Sequence, residues 1–246
     1  MPKTQDMNAI HPHPSQLAGL DGCRGGWVAV WQPVEGGLVS WDVFASFDAA
    51  LEALPKALLA VDIPIGLPES GARECDLLAR RALGRAQTGS VFPAPPRALL
   101  AAQSYAEACA AREALDGKKI SLQTWNILPK IREVDTALQA QPGLRGQVFE
   151  SFPELGFFHL NGGMPLPQGK RTREGRQARL ALLQAVFGDA PLAAVNRLRG
   201  SGCAPDDLLD AFALLWSAGR ILCGQAVRLP DKSVRDTTGL EMKITV

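Results

Sequence analysis

The run ALLAVDIPIG (57–66) is apolar at nearly every position and is stopped by Pro64 and Gly66. A stretch this short, with no polar alternation, reads as a strand buried on both faces, the kind found in sheets covered by helices. Asp62 stands inside it. Burying an ionised carboxylate without a partner is so costly that proteins pair it, protonate it or give it a metal. The run therefore calls for an α/β fold and for a reason to keep an acid in its core.

The surrounding segments supply the rest of such a fold. LAGLD (17–21) reads as a buried strand, GCRGG (22–26) as a tight turn and WVAVW (27–31) as the returning strand of a hairpin. LVSWDVF (38–44) is a third strand, and FDAALEAL (47–54) has helical spacing with Ser46 as its N-cap. Residues 72–84, 104–115 and 121–139 are helical, Pro129 being expected to kink or split the last of them. QVFESF (147–152) is a further strand, and 174–188 and 206–224 are the clearest helices of the C-terminal half.

This spacing predicts one domain over 17–230, with a helical insertion at about 70–141. A flexible lead-in (1–16) precedes it, and an extension of unassigned role (231–246) follows. The sheet is mixed: antiparallel hairpin strands first, then parallel strands, flanked by helices.

Composition excludes several classes. Hydrophobic residues make up 46% of the 246 and charged residues 21%, ordinary for a protein with a sizeable core. A net charge of +1 gives no overall attraction to nucleic acid or membrane, so any such attraction must be local. The five cysteines form no C-x-x-C pair, which argues against a zinc knuckle or a redox dithiol. No signal peptide or bilayer-spanning run is found, so a cytoplasmic location is the default. His11 and His13 lie in the lead-in and receive no role.

Asp62 is not alone. Asp21 ends the first strand, and Asp210 sits between LL and AFALLW on a helix that is apolar on nearly every side. Each acid has a structural alternative: Asp21 can start a turn, Asp62 can cap a loop, and Asp206 and Asp207 can oppose the positive end of a helix. One metal site explains them together. Asp207 and Asp210 share a helix face, and Asp21 and Asp62 converge if their strands are neighbours. Hard oxygen ligands of this kind suit Mg²⁺ or Mn²⁺. Two such ions, about 3.5–4 Å apart, can activate a water and stabilise a leaving oxygen in phosphodiester cleavage.

The blocks GLDGCRGGW, VDIPIGLP, R-x-CD-x-x-AR-x-x-LG, SVFPAPPR, GKKISLQTWNILPKIREVD, ESFPE, K-R-T-x-x-G-x-x-R and DDLLDA occur in that order between about Gly19 and Gly224. In these blocks the chain closely resembles the family known as domain of unknown function 429, whose members are regarded as predicted ribonuclease-H-like nucleases. The resemblance implies a ribonuclease-H-like fold, with acids on the first strand, the fourth strand and the last helix. Asp21, Asp62, Asp207 and Asp210 match those positions. Nuclease activity is implied only through that fold, and a fold does not fix a function.

ESFPE adds Glu150 and Glu154, and Glu154 joins the candidate catalytic set, although it can equally be a helix N-terminal acid. For substrate, the turn offers Arg24 and backbone N–H groups, and the family block around Gln123 and Trp125 offers Lys130. KRTREGRQAR (170–179) offers Lys170, Arg173 and Arg176, with Arg179 continuing the three-residue spacing. Arg80, Arg81 and Arg85 form a weaker basic cluster. Trp125 and Phe92 are candidates to stack on bases, and Cys23 with His159 is a remote nucleophile pair.

The leading expectation is thus metal-dependent phosphodiester hydrolysis, with nucleic acid as partner and one or two Mg²⁺ or Mn²⁺ ions as cofactor. A nucleotide-binding protein or small-molecule phosphotransferase, and a non-catalytic nucleic-acid-binding protein, are the alternatives.

Overall fold

The computed structural model describes residues 14–84 and 91–246; His11, His13 and Arg85 lie outside them. Among the described residues, seven strands form two sheets. The larger has five strands in the order β3-β2-β1-β4-β5: β1 Gln16–Cys23, β2 Gly26–Pro33, β3 Ser40–Phe44, β4 Ala57–Val61 and β5 Val148–Glu150. β1, β2 and β3 pair antiparallel, and β4 runs parallel to both β1 and β5. The expected mixed sheet is therefore present. Ser15 and Gln16 already pair with their neighbours: the Ser15 N–H donates to Lys56 O, and Gln16 stands opposite Pro33 and Ala57.

Period-2 alternation splits the sheet into two dry faces. Ala18, Leu20, Leu59 and Val61 face a layer containing α1 (Phe47–Ala53), α3 (Tyr105–Asp116) and α4 (Leu122–Ala140). Leu17, Cys23, Leu58 and Ala60 face the opposite layer, dominated by α8 (Pro205–Leu222) with α6 (Arg173–Phe187) and α7 (Ala190–Val195) beside it. α2 (Glu74–Leu83) lies between β4 and β5 in the chain with α3 and α4, and α5 (Pro153–Leu160) follows β5.

α4 is continuous through Pro129, contrary to the expected break. Pro129 withholds the N–H that the Trp125 carbonyl would take, and the helix carries on through that one missing bond.

α8 is buried on almost every side and lies on β1, β2 and β4. Gly19 makes this close approach possible. A Cβ built there would stand 2.2 Å from both Ala211 O and Leu215 N. Only a bare backbone lets the helix lie so near the strand, and the contact sits next to Asp210 on the helix and two residues before Asp21 on the strand.

The C-terminal stretch is not an appendage. β6 (Arg228–Arg235) and β7 (Glu241–Thr245) form an antiparallel hairpin, and the expected boundary at 230 falls inside β6. Asp236, between the two strands, accepts the Leu67 N–H at 2.9 Å and pairs with Arg97 at 2.5 Å, and Arg97 also grips Asp135. The hairpin thus fastens the loop that follows Asp62. A signal was available in TTGLE (237–241), whose glycine takes a positive φ of 82° at the turn. Among the described residues, no helix is long and apolar enough to cross a membrane.

Candidate functional site

A cavity of about 670 Å³ opens at the C-terminal ends of β1 and β4. Parallel pairing sets Leu20 against Val61, and the Asp62 N–H continues the ladder to Leu20 O at 3.0 Å. Asp21 and Asp62 are therefore neighbours. Counting in twos from Leu17 and Leu58 puts both on the face that α8 covers. From α8, Asp207 and Asp210, three residues apart on one helix face, line the same cavity. The structure brings all four of these aspartates together, with Glu150 and Glu154 also on the wall.

Their electrostatics follow from crowding and burial. Burial pushes the Asp21 carboxyl well above its ordinary value, and the charges of Asp62 and Asp210 push it further. Burial likewise raises Asp62 to about 7, although Lys170 pulls it down. Asp210, 1% exposed, is raised to about 6 by burial against the same opposing pull. Asp207 is more open and is raised by burial and by Asp206, while its Oδ2 accepts the Ala204 N–H at 3.3 Å, which is the helix-end role weighed for it above. Asp21 also accepts the Gly22 N–H at 2.7 Å, so its turn-starting role and its place in the cluster coexist.

Lys170 acts on this group from the cavity wall. Its Nζ donates to Asp210 Oδ2 at 2.6 Å, and although burial lowers its pKa, the charges of Asp210, Asp21 and Asp62 outweigh that and raise it. The loop carrying Lys170 is clamped to the start of α6: Thr172 caps the helix by accepting the Gly175 N–H, and its hydroxyl donates to Gly169 O. Gly175 has to be bare, since a Cβ would meet Gly169 O at 2.1 Å.

Other residues take up structural work. Glu154 is held by both oxygens against Arg179 Nη2, at 2.8 Å each. Arg179 is 2% exposed and stacks over Phe157, so it leaves the basic strip in which its spacing had placed it. Glu150 is bound at 2.6 and 2.7 Å by the buried Arg73, which also holds Asp76 and the carbonyls of Ile65 and Gly66. Arg73 and Asp76 were not singled out from sequence. The signal was the R-x-x-D spacing at a helix start, which puts a base and an acid one turn apart.

Lys130 lines the cavity but turns back to donate to Gly26 O at 2.5 Å and lies over the Trp27 ring. It does not pair with Glu133, which accepts from Trp27 Nε1 and Phe47 N. Arg24 is exposed and outside the cavity lining. The turn beside it gives two N–H groups away, Gly22 to Asp21 and Gly25 to Gly202 O, so they are not free to cradle a phosphate. Phe92 lines the cavity, whereas Trp125 packs on Tyr105. Arg80 is spent on Val91 O. Cys23 contacts Cys203, and His159 packs on Phe158, so no cysteine–histidine pair forms.

The donor set fits a hard divalent cation in its chemistry. Several carboxylates face one ammonium, and the buried Asp210 Oδ1 has no hydrogen-bond partner. The fit is not that of a ready cage. Among the described residues, no three Asp, Glu, His or Cys side chains converge closely enough to enclose an ion as they stand.

Fold and cavity together define a mixed α/β protein with a carboxylate-lined pocket at the ends of its parallel strands. The chain belongs to the DUF429 family of proteins of unknown function, whose family model matches residues 19–235. No match was found among curated proteins or among solved structures.

Proposed function

We propose that the protein is a ribonuclease-H-like, divalent-metal-dependent hydrolase of phosphodiester bonds. The observation that carries this reading is the meeting of Asp21, Asp62 and Asp210, from two adjacent parallel strands and the helix laid across them, in one cavity. The sheet order, with an antiparallel hairpin joined to parallel strands, supports the ribonuclease-H-like assignment.

Mg²⁺ or Mn²⁺, held by Asp21, Asp62 and Asp210 with Asp207 at the rim, would supply a nucleophilic water and neutralise charge on the phosphate. The chain's own residues do the rest. Asp62 and Asp210, with pKa values of about 7 and about 6, lose their protons near neutrality, when a cation has most to gain from them. Lys170 holds positive charge at the mouth of the cluster, where it can meet a phosphate oxygen once Asp210 has another partner. Arg179 and Arg73 occupy Glu154 and Glu150, which leaves Asp21, Asp62 and Asp210 as cavity acids without an arginine salt bridge among the described residues.

The test is hydrolysis of bis(4-nitrophenyl) phosphate and of single-stranded oligonucleotides with Mn²⁺. Wild type is expected to cleave, and Asp62→Asn to lose cleavage while keeping its circular dichroism spectrum. Equal rates in the two proteins refute the assignment.

A further inference from the structure

The segment that puts Lys170 on Asp210 continues away from the cavity as a line of cations. Arg171 lines the cavity wall and is exposed. In the first turns of α6, Arg173 and Arg176 line a second, smaller recess of about 200 Å³ together with Gln177. Its apolar surface comes from Leu180, Val195 and Leu209. Leu209 is the residue before Asp210, so the recess lies across the N-terminal turns of α8 from the carboxylates.

The charges along this line are of two kinds. Arg179, one further step along the helix, is buried and neutralised by Glu154. Arg171, Arg173 and Arg176 are exposed, and among the described residues none of them is in an ion pair. Glu174 stands between them in sequence and Asp206 opens α8 beside the recess residue Pro205, yet neither closes on these guanidiniums. Free guanidiniums over an apolar floor suit an anion that repeats at intervals and carries flat or apolar groups between its charges.

We propose that Arg171, Arg173 and Arg176 form the exit track of a nucleic-acid strand, binding the phosphates that follow the one placed at the aspartates, with the recess taking a sugar or base face. The proposal rests on the hydrolase reading for the position of the scissile phosphate. The choice of nucleic acid over an acidic protein comes from continuity: one cationic line begins inside the carboxylate cavity and ends in the recess, so a polymer of phosphodiesters serves both ends. Arginine suits this role because its planar fork meets phosphate oxygens in pairs.

The experiment measures binding of a fluorescein-labelled single-stranded oligonucleotide by anisotropy in Mg²⁺. It compares the full-length Asp62→Asn protein with the same protein carrying Arg173→Ala and Arg176→Ala. Affinity is expected to fall about tenfold or more at low salt, and the slope of log affinity against log salt to lessen by about 1.4, two contacts at roughly 0.7 each on a single strand. Unchanged affinity and slope overturn the track. Competition by poly-glutamate as effective as that by unlabelled oligonucleotide of equal charge also overturns it, in favour of an acidic protein. Hydrolysis of bis(4-nitrophenyl) phosphate by wild type is scored separately. If that fails while the arginine effect holds, the strand track stands and the hydrolase reading falls.

Discussion

The ammonium of Lys170 lies 2.6 Å from Oδ2 of Asp210, while Oδ1 of the same buried carboxylate has no partner. The lysine satisfies one oxygen of one acid, and Asp21 and Asp62 share only its longer-range field. Lys170 and an added cation therefore compete for one site. In Lys170→Gln the carboxylates lose the ammonium that acts on Asp21, Asp62 and Asp210 alike. Mn²⁺ is expected to raise the melting temperature of this variant more than that of wild type at pH 8. A scan of Tm against Mn²⁺ concentration checks it, and an equal response in both proteins refutes the competition.

The same cluster predicts a pH dependence of cation binding. Divalent ions need ionised carboxylates, and Asp210 and Asp62 lose their protons at about 6 and about 7. Mn²⁺ affinity, followed by isothermal titration calorimetry, should climb as pH rises through those values and level off above them. A flat profile across that range would show that these two acids are not ligands.

Asp62 also costs stability when ionised. Its folded pKa, about 7, exceeds its ordinary 3.8, so the folded state binds the extra proton. Stability from this group is full below the lower value and is lost as pH rises to the upper one. Asp62→Asn removes the penalty. Chemical denaturation should find the variant more stable than wild type by roughly 2 kcal/mol at pH 8, and by much less near pH 4. A destabilised variant at pH 8 would mean that the ionised carboxylate has a partner.

Arg179 and Glu154 form a buried pair, 2% and 7% exposed. Removing one member strands the other charge, so Arg179→Ala should lose about 3–5 kcal/mol, measured by urea denaturation. Arg179→Met/Glu154→Gln, which removes both charges, should recover much of that loss. If the double variant is no better than the single one, packing on Phe157 rather than charge sets the cost.

Gly19→Ala drives a methyl group into the α8 backbone, where nothing flexible can yield. A loss of at least about 1–3 kcal/mol is expected, together with weaker Mn²⁺ binding, because the displaced segment is the one that carries Asp210. Thermal melts with and without Mn²⁺ separate the two effects.

Much of this site was legible in the chain. β1, β2 and β4 announce themselves as short apolar runs and α8 as a long apolar helix, and an acid inside such a run is conspicuous because burying it is costly. Lys170 was read as a phosphate contact, and its place on Asp210 depends on how the loop folds back, which no local pattern encodes. Arg179 kept the spacing of its exposed neighbours but turned inward, since three-residue steps drift around a helix until one of them meets the core. The C-terminal hairpin was missed because β6 is largely polar, and the hairpin is held through Asp236 and the buried Leu240 and Ile244.

The register of β1 on β4 makes the aspartate pair sensitive to chain length in a way that substitutions do not test. One residue added within either strand would turn its acid to the opposite face, into the layer that Leu20 and Val61 occupy. One residue added to the exposed turn at 35–38 would leave both acids where they are. Insertions and deletions inside these two short strands are therefore the changes this pocket tolerates least, while the turn between β2 and β3 can lengthen freely.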